Sequence, residues 1–100
     1  MIALDRAFSP SYALARTRFL EAAATAGLPI TSYEHPLTGR DGEVLAMDVA
    51  IAGDPQSEAM LIVSSACHGV EGYCGSGVQV YALHDQDWLV GSGQYGPGRL

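Results

Sequence analysis

Residues 60–77 read Met60-Leu-Ile-Val-Ser-Ser-Ala-Cys-His-Gly-Val-Glu-Gly-Tyr-Cys-Gly-Ser-Gly77, and their order decides the architecture. Met60 to Val63 is a short continuous apolar run, the pattern of a strand covered on both faces. Such a strand requires helices above and below, which selects an α/β sheet over a sandwich. Beyond it, four glycines fall between Gly69 and Gly77. Each costs roughly 1 kcal/mol against alanine inside a helix, so this density marks tight turns or close approach of backbone. A helix resuming near Gly72 or Tyr73 takes in Val80, Tyr81 and Leu83 and stops at about His84. Strand, glycine-rich loop and helix follow in order, and open α/β sheets place ligands at the carboxyl end of such a strand.

Upstream, Ser9-Pro10 offers a cap and a first-turn proline for an earlier helix. Tyr12, Ala15, Phe19, Ala22, Ala23 and Ala26 recur at helical spacing, and Gly27 with Pro29 stops the run. Its alanines make a thin helix that can lie close against a sheet, with Arg16, Arg18 and Glu21 on the solvent side. Ile30 to Leu37 reads as extended, with Pro36 arguing for an edge or a strand end. Thr38 to Gly42 is turn material, and Val44 to Ile51 follows with period two. Leu45, Met47, Val49 and Ile51 share one face; Val44, Ala46, Asp48 and Ala50 share the other. The two segments pair as a hairpin, and Gly53-Asp-Pro55 turns the chain toward Met60. From Asp85 onward the pattern dissolves into a glycine-punctuated loop. The reading is therefore about three strands and two helices. Residues 1–84 form the N-terminal part of an α/β domain, and residues 85–100 a glycine-rich tail or truncated continuation. Three strands leave an edge and an apolar face uncovered, which a homodimer or more of the chain would cover.

Bulk properties narrow the function. The 100 residues are 48% hydrophobic and 16% charged, a globular balance. Five arginines and no lysine stand against eleven acidic residues, a net charge of −6 that repels a phosphate backbone. Nucleic-acid binding is not expected. No apolar run is long enough to span a membrane, and Met1 to Ala7 lacks a secretory pattern, so a cytoplasmic protein is expected. Cys67 and Cys74 read as free and reduced within a segment that looks buried; a disulfide, or a redox or metal-storage pair, is the alternative. The lack of lysine excludes a Walker-type loop, and the serines lack a nucleophile elbow.

His68 and Glu71 stand three residues apart just beyond the apolar run, where a tight turn can aim both into one pocket. Imidazole and carboxylate are ordinary zinc ligands, and a His, Glu, His set with one open water position is a known catalytic arrangement. A bound metal polarises a carbonyl and lowers the pKa of its water. The other reading of the pair is a hydrogen-bonded histidine near a helix start with a glutamate that helps to cap it.

The surrounding residues carry a resemblance. Phe8, Tyr12, Ala15-Arg16 and Phe19, then Tyr33 to Gly39, then Asp41-Gly42 with Leu45, Asp48 and Val49 all contribute. The most specific part is Ser65 to Ser76 with Gln79 behind it. Over residues of about 8 to 84 the chain resembles the opening of a zinc-carboxypeptidase-like family known only as a domain of unknown function. More distantly it is similar to succinylglutamate desuccinylase and aspartoacylase. The resemblance implies the N-terminal portion of a mixed-sheet zinc carboxypeptidase-like (phosphorylase/hydrolase-like) fold. It implies Zn2+ with His68 and Glu71 as the first two ligands. The third ligand, a histidine, an arginine-asparagine substrate segment and a general-base glutamate would lie downstream. The implied activity is hydrolysis of an amide bond in a small peptide-like or N-acyl amino acid substrate. Catalytic residues are unassigned, and residues 1–100 alone are expected to be inactive. The rival reading is a non-enzymatic, self-associating α/β structural module.

Other residues draw narrower expectations. His84 lies some three turns from Glu71, too far for a third ligand at ~1.5 Å per residue. His35 is a better outside ligand but reads first as structural. Asp48 reads as solvent-facing, or else as a hydrogen-bond partner for a ligating histidine.

Overall fold

The computed structural model describes residues 2–67 and 69–92, with side chains through Leu89. Its elements are α1 (Leu4–Ala7), α2 (Tyr12–Thr25), β1 (Ile30–Thr38), β2 (Val44–Ala50), α3 (Gly72–Leu83) and α4 (Gln86–Ser92). The result is a small α/β domain in which the described residues form one two-stranded antiparallel sheet.

Helix α2 begins two residues later than Ser9-Pro10 suggests. Ser11, in extended backbone, is the cap, and its hydroxyl accepts the Leu14 amide at 3.2 Å. Ser9 instead meets Arg18 Nη1 at 3.3 Å. The stop falls where the sequence puts it. Gly27 takes φ +73°, the Leu28 amide reaches the Ala23 carbonyl at 2.9 Å, and the Gly27 amide reaches Ala24 at 3.0 Å. This paired closure satisfies carbonyls that the last turn leaves open, and a left-handed residue makes it possible.

The expected hairpin forms, with Ile30 opposite Ala50, Tyr33 opposite Met47 and Glu34 opposite Ala46. Its turn closes by Gly39 N–H to Glu43 O at 2.8 Å and Gly42 N–H to Gly39 O at 3.0 Å, with Gly42 at φ +79°. The register shifts between Glu34 and Thr38, around Pro36. Proline cannot donate to a ladder, so a local irregularity is the form in which a strand tolerates it. His35 belongs to this irregularity: its Nδ1 accepts the Leu37 amide at 3.0 Å.

Two expectations about the hairpin are corrected. The face carrying Ala46, Asp48 and Ala50 is the partly covered one, while Met47, Val49 and Ile51 are exposed. Helix α2 lies toward the Asp48 side. Tyr12 Oη donates to the Ala46 carbonyl at 3.0 Å and accepts the Ala46 amide at 2.8 Å. Arg16, expected in solvent, pairs with Asp48 through Nε at 2.8 Å and Nη2 at 3.1 Å.

The third strand is also corrected. Met60, Leu61, Ile62 and Val63 belong to no strand and are 49–76% exposed. A strand needs an edge to pair with. The Ile51 amide bonds Pro29 O at 3.2 Å, and strict antiparallel alternation then turns the Ala46 backbone groups outward, where Tyr12 takes both.

Helix α3 occupies its expected span, and its first turns are tight, with Gly72, Tyr73 and Cys74 amides bonded three residues back. The core gathers Ala7, Ala22 and Val80, with Ile2, Phe19, Tyr81 and Leu83 packed around it. The alanine stripe of α2 thus serves α1 and α3 more than the sheet. The close approach at Gly77 follows: a Cβ there would stand 2.2 Å from the Phe8 ring. Residues 86–92, read as loop, form α4. Asp85 starts it, its Oδ1 accepting the Trp88 amide at 3.1 Å. No helix among the described residues is long and apolar enough to cross a membrane.

Candidate functional site

Residues 63–67 leave the apolar run and cross the start of α3, and residues 69–71 lead into it. Ala66 takes φ +59°, a conformation that alanine adopts at a cost of roughly 1–2 kcal/mol. The crossing seats Ala66 directly on Gly72, where an added Cβ would lie 2.5 Å from Ala66 Cα. Gly75 receives Ser65 in the same way, at 3.0 Å from its Cβ. Glycine at position 72 is thus required by the passage of the loop over the helix, while at position 75 a Cβ would make a tight contact with the Ser65 side chain. Gln79, farther along α3, ties the same segment down. Its Nε2 donates to Val63 O at 2.8 Å, and its Oε1 accepts the Ser65 hydroxyl at 2.7 Å.

Glu71 occupies the cap position of α3 with φ −60° and ψ −18°, yet its side chain makes no cap bond to the helix. Its Oε1 accepts the Gly69 amide at 3.2 Å instead. The carboxylate therefore folds back over the loop, toward the residue that follows His68. His68 itself lies outside the described residues. Beside the loop is an open cleft of about 320 Å³ lined by Tyr12, Ala66, Gly69, Val70 and Tyr73.

The other chemistry-bearing residues lie apart from this loop. Cys67 and Cys74 are free, as expected, but both are exposed rather than buried. His84 caps the far end of α3, so the twelve-residue helix separates it from Glu71. Asp48 neither faces solvent nor partners a histidine. Its side chain is 7% exposed and holds Arg16 and the Ser32 hydroxyl, the latter at 2.5 Å. Desolvation pushes its carboxyl upward, but the Arg16 and Ser32 hydrogen bonds and the Arg16 charge outweigh that and hold it below its ordinary value.

A catalytic zinc takes three protein ligands and leaves one position open. Among the described residues no three His, Cys, Asp or Glu side chains come together as a metal-binding group. Of the expected pair only Glu71 is placed, and one carboxylate does not fit a complete zinc site. Sequence reasoning missed the partners that shape the loop, Gln79 and Ser65, and the Tyr12 wall of the cleft. Their only advance signal was the resemblance, Ser65 and Gln79 in its most specific part and Tyr12 in its first helix.

The geometry defines a small α/β domain whose glycine-rich loop is folded onto the start of a helix, with a glutamate at the junction. Residues 8–95 match the model of a family described as "Protein of unknown function (DUF2817)", and the chain belongs to that family. No curated protein and no solved structure matches it.

Proposed function

We propose that this chain carries the first two protein ligands, His68 and Glu71, of a zinc-dependent amide-bond hydrolase of the carboxypeptidase or N-acyl amino acid deacylase type. The observation that supports this reading is the Glu71 carboxylate turned back onto the Gly69 amide, which sets it beside the residue that follows His68. A glutamate recruited to cap the helix would bond the helix amides, and this one does not. The loop falls within residues 8–95, the stretch that matches the family, which supports reading it as a shared feature. The resemblance to the desuccinylase and aspartoacylase branch supplies the reaction class. The remaining ligand and the general base are to come from outside residues 1–100, so this chain alone is proposed to turn over little substrate. Elemental analysis of the purified chain and of its His68→Ala and Glu71→Ala variants tests the reading. Zinc present in the parent and missing from both variants supports it; equal zinc in all three contradicts it.

A second reading, a self-associating module, is favoured by a separate observation. Met47, Val49, Ile51 and Met60 to Val63 are all exposed apolar residues. Surfaces of this kind mark association sites in soluble proteins. Sedimentation velocity over a concentration series tests it: a concentration-dependent dimer supports the module, and a monomer throughout removes it.

A further inference from the structure

We infer that the outer edge of β1, from Ile30 to Glu34, pairs with the same edge of a second copy of the chain, antiparallel and centred on Ser32. The inference deepens the reading of the chain as a self-associating module, rests on it, and names its interface.

The hairpin has two outer edges, and the two are treated differently. The bond from the Ile51 amide to Pro29 O fixes which backbone groups face the partner strand. Ile30 stands opposite Ala50, Ser32 opposite Asp48 and Glu34 opposite Ala46, and strict alternation turns the backbone groups of these residues outward. On β2 that edge is met by α2, where Tyr12 Oη takes both groups of Ala46. On β1 no helix, loop or side chain among the described residues bonds the outward groups of Ile30, Ser32 or Glu34. A row of such groups is a template for another strand. The irregularity around Pro36 interrupts the far half of β1 and leaves residues 30–34 as a regular edge.

An edge can accept many strands, but this one is complementary to itself. A two-fold axis at Ser32 sets it against the partner's Ser32 and sets Ile30 against the partner's Glu34. Every outward N–H and C=O of the three residues then finds a partner. Neighbouring centres do worse. One on Tyr33 sets Ile30 against the partner's Pro36, which has no N–H to give. One on Thr31 sets Glu34 against the partner's Leu28, outside the strand. One on Glu34 sets two carboxylates directly opposite, which destabilises a ladder. In the Ser32 register the two Glu34 positions fall about 14 Å apart along the strand, beyond the Debye length of about 8 Å at physiological salt. On the opposite face that register lays Tyr33, 57% exposed, across from the partner's Thr31. An aromatic residue facing a β-branched one is a stabilising cross-strand pair.

The full 100-residue chain is tested by sedimentation velocity and by amide hydrogen exchange at low and high concentration. Thr31 and Tyr33, whose amides face β2, are expected to stay protected at both. Ile30, Ser32 and Glu34 are expected to exchange freely when dilute and at least about tenfold more slowly as the dimer forms. Ser32→Pro removes an outward donor that the hairpin does not use, and is expected to weaken the dimer about tenfold or more. Ser32→Ala keeps the N–H, loses only the hydroxyl that bonds Asp48, and is expected to dimerise as the parent does. Ser32→Lys serves if Ser32→Pro fails to fold: the new charge faces Asp48 within its own hairpin but its own copy across the seam, so the dimer is again expected to weaken. A dimer whose Ile30, Ser32 and Glu34 amides stay unprotected overturns the seam and leaves self-association through the apolar residues standing. So does a dimer that Ile62→Asp dissolves while Ser32→Pro and Ser32→Lys leave it intact. A monomer at every concentration overturns both.

Discussion

Gly72 and Gly77 lie on the same helix and each makes room for a different kind of neighbour. A Cβ at Gly72 would meet Ala66 backbone at 2.5 Å, whereas one at Gly77 would meet a side chain, the 38% exposed Phe8 ring, at 2.2 Å. Gly72→Ala is therefore expected to cost about 2 kcal/mol in urea unfolding, the ordinary cost of overpacking. Gly77→Ala should cost less, because the helix gains roughly 0.5–1 kcal/mol from alanine in its interior. Equal losses would show that backbone contact at Gly72 does not matter. Asp48 offers a second test at this scale. Its folded pKa lies below the ordinary value of 3.8, so the unfolded chain holds its proton more tightly. The pair with Arg16 thus contributes stability above that pH, and the contribution disappears as pH falls from about 4 through the lower, folded value. Thermal unfolding between pH 7 and pH 2 should show this acid loss in the parent and a flatter profile in Asp48→Asn. The glycine density around the loop was legible because close approach leaves few other residues possible. The Arg16–Asp48 pair was not, since alternation shows which residues share a face and not which face is covered.

Among the elements, α2 and the hairpin were readable because their ends are written in local chemistry. Gly27 and Gly42 both adopt the positive φ their turns require. The apolar run Met60 to Val63 misled for a physical reason: a run that short carries no periodicity, and strand formation depends on an edge elsewhere in the chain. Helix α4 was missed because the glycines beyond Trp88 outweighed a good cap signal at Asp85, whose carboxylate accepts the Trp88 amide. Besides the Arg16–Asp48 pair, Tyr12 ties helix to sheet, its hydroxyl engaging both backbone groups of Ala46. Tyr12→Phe keeps the ring and removes both bonds, leaving two partly buried backbone groups to find water. A loss of about 1–3 kcal/mol is expected by denaturant unfolding, with faster amide exchange at Ala46. An unchanged Ala46 amide would mean that the strand edge does not depend on α2.

At the scale of the whole molecule, the buried cluster of Ala7, Ala22 and Val80 is small against the apolar surface left open. Ile62 is 76% exposed and contributes little to the folded chain. Ile62→Asp should therefore alter stability by no more than about 0.5 kcal/mol, while shifting any dimer toward monomer in sedimentation. A large destabilisation would mean that this segment is covered. The α/β class holds although the Met60 to Val63 strand that selected it does not form, and the arrangement around the loop depends on packing that no local pattern records. On the proposed reading His68 and Glu71 hold one ion between them, and a zinc-affinity cycle tests it most directly. Chelator competition on the parent, His68→Ala, Glu71→Ala and the double variant should show each single change weakening zinc at least ~tenfold. The double variant should lose little more than either single one, because two ligands of one ion are coupled. Losses that simply add, or single variants that bind zinc as the parent does, would contradict the shared site.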